Sequence, residues 1–167
     1  ELSGDRQIID IGEYKINAFK VKHNVTCFGY SIEIDRKGRF NPEKAKELNL
    51  PVKCWGLLQK GKTIIYEDKK YTPDMVMGER RKGLKVTYTT DTRPVQAIVE
   101  AATGADLFIC EGMYGEPDKE AKAREYKHMT FKEAATIAKE GRCKELLLTH
   151  FSPALAEPKE FIENATN

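Results

Sequence analysis

Three histidines and one aspartate are the residues of this chain best suited to catalytic or metal-binding chemistry. His23, His128 and His150 are the only histidines among its 167 residues. His150 directly follows an apolar segment that predicts a strand, and Asp91 directly follows another. Ligands of open parallel sheets bind beyond the carboxyl ends of the strands, so we expect Asp91 and His150 to meet at one rim. An imidazole and a carboxylate in such a place suit Zn²⁺ or Mn²⁺.

The positions of Asp91 and His150 after two predicted strands are not sufficient to assign a metal site. An aspartate at the end of a strand is more often the cap of the next helix, and Thr92, Arg93 and Pro94 follow Asp91 here. A single histidine is more often a hydrogen-bonded residue of the surface or the core. Both of these ordinary roles stay open at this level.

The elements that carry Asp91 and His150 alternate between strand and helix. This order predicts parallel pairing with right-handed crossovers. Thr130 and Glu133 form the pattern of a capping box at the start of one helix, and Gly141 is expected to end that helix. The predicted elements are strands over 84–90, 105–110 and 145–149, a helix over 94–102 and a helix from 130.

The first half of the chain has hairpin patterns instead of this alternation. Gly12 and Glu13 separate two strand-like segments, and Asn41-Pro42 has the residue types of a helix start. Apart from one short hairpin, residues 51–83 predict irregular structure. The predicted elements are strands over 8–11, 14–21 and 28–34, a helix over 43–47 and a hairpin over 63–71.

Composition excludes several classes of protein. Hydrophobic residues make up 40% and charged residues 32%, which excludes a disordered or collagen-like chain. No apolar run reaches the ~18–20 residues of a membrane span, so we expect no membrane association. The net charge of +2 is too small to indicate nucleic-acid binding by itself. The four cysteines lack a Cys-x-x-Cys pair, so we expect reduced thiols in a cytoplasmic protein.

Five short motifs between Val21 and Ser152 contain or surround the histidines and the aspartate named above. They are Val21-Lys22-His23 with Gly29-Tyr30, Thr89-Thr90-Asp91-Thr92-Arg93-Pro94, Ala105–Glu111, Lys127-His128-Met129-Thr130 and Leu148-Thr149-His150-Phe151-Ser152. In this order they resemble the motifs of ribonuclease Z, the family of transfer-RNA 3′-processing endonucleases within the metallo-β-lactamase superfamily.

The resemblance implies an α/β (α+β) fold, the αββα sandwich of that superfamily, with a mixed sheet and an inserted arm. The His-x-His-x-Asp-His motif of the family precedes the position of His23, and this chain contains no such motif. We therefore expect residues 1–167 to be a single partial domain, the carboxyl-terminal portion of such an enzyme. We expect it to be inactive alone, with the missing amino-terminal half as its partner.

The resemblance also implies the roles of individual residues. His23 and His150 would be terminal ligands of two zinc ions, and Asp91 would bridge them, although this chain alone need not hold either ion. His128 would contact the scissile phosphate and protonate the leaving oxygen, whereas its ordinary alternative is a solvated histidine at a helix start. The residues expected to orient these groups are Thr92, Arg93 and Glu111.

The segment from residue 35 to 61 corresponds to the family's basic substrate-binding arm. Its cations would follow the phosphates of precursor transfer RNA, and Trp55 would either stack on RNA or fill the arm's own core. These cations are Arg36, Lys37, Arg39, Lys53 and Lys60.

We expect the chain to form a homodimer, and three functions remain open. The first is a zinc-dependent endoribonuclease that removes the 3′ trailer of precursor transfer RNA. The second is another phosphodiesterase or hydrolase of the same fold. The third is a non-catalytic RNA-binding module that never carried the metal motif.

Overall fold

A computed structural model describes residue 2 and residues 4–166 of the chain, which divide into two compact units. The sheet unit combines the residues up to Ile34 with those from Leu84 onward. The insert unit is Asp35–Gly83, and it contains the whole of the predicted arm. Across the described residues, no helix has the length and apolarity needed to cross a membrane.

A six-stranded mixed sheet, ordered β1-β2-β3-β6-β7-β8, forms the framework of the sheet unit. A separate two-stranded hairpin, β4-β5, belongs to the insert unit. The strands are β1 (Arg6–Ile11), β2 (Tyr14–Lys22), β3 (Thr26–Arg36), β4 (Ile64–Tyr66), β5 (Lys69–Tyr71), β6 (Arg81–Tyr88), β7 (Leu107–Glu111) and β8 (Leu146–Thr149).

Both predicted pairing patterns are confirmed. β1 and β2 pair in antiparallel fashion around Gly12, which has a φ of +66° that glycine adopts without strain. β6, β7 and β8 pair in parallel, with Thr87 opposite Phe108 and Cys110 opposite Leu148. The carboxyl ends of three neighbouring strands therefore meet at one edge of the sheet.

Five α-helices and three 3₁₀ helices lie between or after these strands in the described part of the chain. Thr130 and Glu133 form the predicted capping box of α5, and the helix ends before Gly141. α3 contacts both β2 and α5, so the core lies between these helices and the sheet. The helices are α1 (Pro42–Glu47), α2 (Val52–Gln59), α3 (Gln96–Ala102), α4 (Glu120–Tyr126) and α5 (Phe131–Glu140), with 3₁₀ helices over Pro73–Met75, Pro117–Lys119 and Pro158–Ala165.

The prediction of irregular structure from residue 51 onward is wrong for α2. This helix begins after Pro51 without a side-chain cap and contains Gly56, so its sequence lacks the usual start signal and has a helix-weakening residue inside. Cys54 and Leu58, four residues apart, are buried on one face of the helix. Burial of that face explains why the helix forms despite its low propensity.

The insert unit has a small hydrophobic core of its own, formed by α1, α2 and the β4-β5 hairpin. Trp55 packs against this core, and its indole Nε1 donates a hydrogen bond to the Leu50 carbonyl at 2.9 Å. Its ring lies 5.5 Å from that of Phe40, measured between centroids. Of the two roles considered for Trp55, the structure therefore favours core filling over RNA stacking.

Two glycines bring distant parts of the insert unit into direct backbone contact. A Cβ on Gly38 would lie 2.0 Å from the carbonyl oxygen of Gly78, closer than atoms can approach. The Gly78 amide donates to the Arg39 carbonyl at 2.8 Å, which holds the two segments together. Only glycine at position 38 allows this approach.

Substitution of Gly38 by alanine is expected to destabilise the insert unit by about 1–3 kcal/mol, since the new methyl group forces the two backbones apart. Gly56→Ala is the matched control, because its added Cβ meets no atom within 4 Å and it lies inside a helix. That control should be neutral or stabilise by roughly 0.5–1 kcal/mol. Trp55 is the sole tryptophan, so its fluorescence during urea unfolding reports on this unit. Equal unfolding midpoints for the two variants would contradict the prediction.

Candidate metal centre

The predicted site residues of the sheet unit lie where strands end or helices begin. His23 directly follows β2, Asp91 lies three residues after β6, and His150 directly follows β8. Glu111 is the last residue of β7, and His128 precedes the capping box of α5. The parallel pairing of β6, β7 and β8 is what directs these segments to a common rim.

His23, Asp91 and His128 form a cluster with the geometry of a metal site. Each residue offers one ligand atom, and these atoms lie within 4.8 Å of one another. His150 joins them through its Nε2, which lies 3.2 Å from Oδ1 of Asp91. The structure thus brings together Asp91 and His150, as well as the two histidines that only the family motifs indicated.

The three imidazole rings form a row with His128 in the middle. The ring centroid of His128 lies 5.2 Å from that of His23 and 5.6 Å from that of His150. Nδ1 of His23 donates to the Lys127 carbonyl at 3.2 Å, so its Nε2 carries the electron pair that a cation needs. The His150 side chain is 46% exposed and that of Asp91 26%, so the cluster is open to ligands from solution.

Glu111 is the fully buried carboxyl group at the base of the cluster. Its Oε1 accepts from the Thr92 amide at 2.5 Å, and its Oε2 accepts from the Met129 amide at 3.2 Å. Nδ1 of His128 lies 3.2 Å from Oε2, so one proton links the two side chains and fixes the orientation of the imidazole. Burial raises the pKa of Glu111 to about 8, although the two amide hydrogen bonds oppose this shift.

Thr92 and Arg93 hold the backbone around the cluster. The Thr92 hydroxyl accepts from the Lys22 amide at 3.0 Å and donates to the Arg93 carbonyl at 2.8 Å. The guanidinium of Arg93 donates to the carboxylate of Glu133 and to the backbone carbonyl of His128. The side chains of Thr92 and Arg93 thus form hydrogen bonds with the segments that lie around Asp91. The carboxylate of Asp91 itself accepts a hydrogen bond from the Thr90 hydroxyl at 3.1 Å.

Sequence reasoning missed the roles of Thr90, Lys127 and Glu133 at this site. Thr90 and Lys127 belong to two of the recognised motifs and Glu133 belongs to the capping box, so their positions in the sequence were a usable signal. Lys127 takes part only through its carbonyl oxygen and has a φ of +61°. Its side-chain type gives no indication of either property.

The donor set of the cluster fits a zinc ion. Imidazole nitrogens and a carboxylate oxygen are common zinc ligands in proteins. Metal ligation requires a neutral imidazole, and burial together with the neighbouring histidines lowers the pKa of His128 while Asp91 opposes the shift. The backbone and carboxylate partners of His23 and His128 supply the orientation that ligating histidines usually receive.

The predicted RNA-binding cations belong mainly to the surface of the insert unit. The side chain of Lys53 lies over the ring of Tyr66, with Nζ 5.8 Å from the ring centroid. Four of the five residues are exposed and Arg36 is half-buried. The exposed residues are Lys37, Arg39, Lys53 and Lys60.

Comparison with solved structures identifies the fold. The chain resembles a metallo-β-lactamase fold protein from Bacillus subtilis with a TM-score of 0.59 and 21% identity, over 96% of this chain and 45% of that protein. It resembles the short form of human tRNase Z with a TM-score of 0.56 and 24% identity, over 90% of this chain and 40% of that protein. The chain therefore has the metallo-β-lactamase fold, as the motifs implied.

Curated relatives narrow the comparison to ribonuclease Z. The chain is 56% identical to ribonuclease Z of Lachnospira eligens over 99% of its own length and 54% of that protein. It is 53% identical to ribonuclease Z of Lachnoclostridium phytofermentans, over 98% of its own length and 54% of that protein. The chain is thus homologous to ribonuclease Z proteins, which confirms the resemblance, and it spans about half the length of these relatives. No protein-family model matches the chain.

We expect Glu111 to titrate near pH 8 in the metal-free protein because its carboxyl group is buried. Glu120 is the contrasting group, since its hydrogen bond to Arg124 lowers the pKa of that exposed carboxylate. Carbon-13 NMR of the side-chain carboxyl carbons during a pH titration separates the two.

The folded state binds the Glu111 proton more tightly than the unfolded chain does. The metal-free fold therefore loses stability as the pH rises from about 4.5 to about 8. The prediction would be contradicted if Glu111 and Glu120 lost their protons over the same pH range.

Proposed function

We propose that this chain supplies part of the active site of a zinc-dependent endoribonuclease that removes the 3′ trailer from precursor transfer RNA. The observation that carries the proposal is the cluster of His23, Asp91 and His128 at the strand-end rim. The homology to ribonuclease Z and the fold shared with a solved tRNase Z support the choice of substrate.

In this proposal, His23 and His150 would each hold one zinc ion, and Asp91 would be a ligand of both. When bound, zinc supplies Lewis-acid stabilisation of a phosphodiester and lowers the pKa of water. Thr92 connects the segments of His23 and Asp91 by hydrogen bonds, and Glu111 connects the segments of Asp91 and His128. The exposed faces of Asp91 and His150 leave room for a phosphate to approach.

His128 acts as the proton donor to the leaving oxygen. Its Nδ1 faces Glu111, so Nε2 is the nitrogen directed away from the buried carboxyl group. Burial lowers the pKa of His128, which makes its protonated form a readier acid near neutral pH. A second role has support from the same geometry, because His128 also belongs to the group of three possible ligands. Zinc content after substitution distinguishes the two roles.

A two-metal centre needs more ligands than the described residues bring together. The His-x-His-x-Asp-His motif that the family resemblance implies is absent from this sequence. We therefore propose that activity belongs to an assembly in which another segment supplies that motif. Precursor transfer RNA, that segment and a second copy of the chain are the proposed partners. The dimer and a cytoplasmic location stay predictions.

A chimera tests this function. The part of Lachnospira eligens ribonuclease Z that this chain does not match is joined to the 167 residues, and cleavage of precursor transfer RNA is assayed with zinc. We expect the chimera to release the 3′ trailer and Asp91→Asn to abolish both zinc binding and activity. His128→Asn should slow cleavage by about 10²–10⁴-fold with zinc content unchanged. Loss of zinc in this variant would assign His128 as a ligand instead.

The isolated 167-residue chain is the control in that assay. We expect it to bind at most one zinc ion and to leave the RNA intact. Turnover by the isolated chain would contradict the proposed division of the ligands. A chimera that cleaves a small chromogenic phosphodiester but no precursor transfer RNA would favour another phosphodiesterase of this fold. RNA binding without any cleavage would favour a non-catalytic module.

The insert unit is proposed to bind the phosphates of the substrate. Its exposed cations are suited to interactions that supply affinity without reading the base sequence. Trp55 is engaged in the core of the unit, so charge has the larger part in this binding. Residues 35–61 contain the proposed cations, which are Arg36, Lys37, Arg39, Lys53 and Lys60.

Neutralising two of these cations should weaken RNA binding with a defined salt signature. We expect Lys53→Gln with Lys60→Gln to lower affinity. The slope of log K against log salt should fall by roughly 0.7–0.9 for each phosphate that the protein no longer neutralises. The cleavage rate at saturating RNA should stay unchanged. Lys139→Gln with Lys159→Gln removes the same charge from the sheet unit. Equal effects of the two pairs would contradict a specific role for the insert unit.

A further inference from the structure

Glu133 has a second interaction that its position in a capping box does not require. Its Oε2 accepts from the Thr130 amide at 3.0 Å, and its own amide donates to the Thr130 hydroxyl at 3.2 Å, which together form the box. A glutamine at this position satisfies a capping box equally well, because one side-chain oxygen is enough. The capping box therefore does not account for the negative charge and the other oxygen of Glu133.

The second interaction is a two-pronged ion pair with Arg93. Nη1 of Arg93 donates to Oε2 of Glu133 at 3.0 Å, and Nη2 donates to Oε1. The two side chains are only 13% and 18% exposed. Fork-to-fork pairs of this kind are stronger and more specific in direction than single hydrogen bonds, and partial burial reduces their screening by water.

Arg93 connects this pair to every segment of the three-residue cluster. Its guanidinium donates to the carbonyl of His128, and its own amide donates to the Lys22 carbonyl at 2.9 Å, directly before His23. Arg93 itself lies two residues after Asp91. One side chain and its peptide group thus connect the segments that carry His23, Asp91 and His128.

We propose that Arg93 and Glu133 are a positioning pair that fixes the segments carrying His23, Asp91 and His128 relative to one another. Glu133 acts through Arg93, whose fork it holds in the direction of the His128 carbonyl. The importance of the pair for metal binding rests on the proposed function, whereas its effect on the geometry of the cluster does not. Both residues act through the backbone of the segments that carry the cluster residues, so neither is a catalytic residue.

Three single substitutions separate positioning from helix capping. Glu133→Gln keeps an oxygen for the Thr130 amide and removes the charge that Arg93 requires. Arg93→Lys keeps the positive charge and removes the fork. Glu120→Gln is the matched control, since it breaks the exposed pair with Arg124 on the neighbouring helix α4.

The first measurement is the zinc affinity of the unaltered 167-residue chain and of each variant, determined by competition with a chromogenic chelator. Removal of groups that orient metal ligands typically costs about 10–100-fold in affinity. We expect this loss for Glu133→Gln and for Arg93→Lys, because Arg93 lies two residues after Asp91 and its amide holds the segment that carries His23. The double variant should bind no more weakly than either single variant, because both remove the same ion pair. Glu120→Gln should bind as the unaltered chain does. Unchanged affinity in Glu133→Gln would overturn the proposal.

The second measurement needs no metal and no RNA. Nuclear Overhauser effects between the ring protons of His23 and His128 report the separation of the two imidazoles in the metal-free chain. We expect this signal to disappear in Glu133→Gln and Arg93→Lys while the capped helix α5 keeps its amide signals. A retained ring signal, or unfolding of α5 as the sole change, would overturn the positioning role. If the unaltered chain binds no zinc by itself, the zinc affinities are compared in the chimera, and the ring signal still decides on the pair. Failure of the chimera to bind zinc would overturn the proposed function and leave the ring measurement unaffected.

Discussion

The buried carboxyl group of Glu111 is the interaction on which the candidate site depends most directly. It stands at the end of β7, between the strands that lead to Asp91 and His150. Its two oxygens accept hydrogen bonds from backbone amides, one in the segment after β6 and one in the segment before α5. A carboxyl group is expensive to bury, and these bonds offset that cost only while both segments keep their positions. The strand end and the two segments therefore form one cooperative unit.

Much of this arrangement could be predicted from the sequence. The parallel strands, the hairpin around Gly12 and the capping box at Thr130 all follow from local patterns, and the structure confirms them. The convergence of Asp91 and His150 was predicted because the carboxyl ends of parallel strands meet at one edge of the sheet. Local patterns were sufficient for these features because each one depends on residues that lie close together in the sequence.

The remaining features depend on interactions between segments far apart in the chain. Arg93 was expected to orient Asp91, and its guanidinium is directed instead to Glu133, 40 residues away. α2 forms because Cys54 and Leu58 are buried in the insert unit, which no single-segment pattern indicates. Side-chain direction in loops is set by such tertiary interactions, so residue type alone could not give it.

The hydrogen bond from His23 to the Lys127 carbonyl has a consequence for the free energy of ligand capture. It restricts the imidazole before any cation arrives, and Glu111 does the same for His128. The rotational entropy of these rings is therefore lost during folding and does not have to be lost again on association. A preorganised cluster of this kind favours cations whose preferred coordination geometry matches the positions of its side chains. A cation that prefers a different arrangement has to distort the backbone carbonyl of Lys127 or the buried carboxyl group.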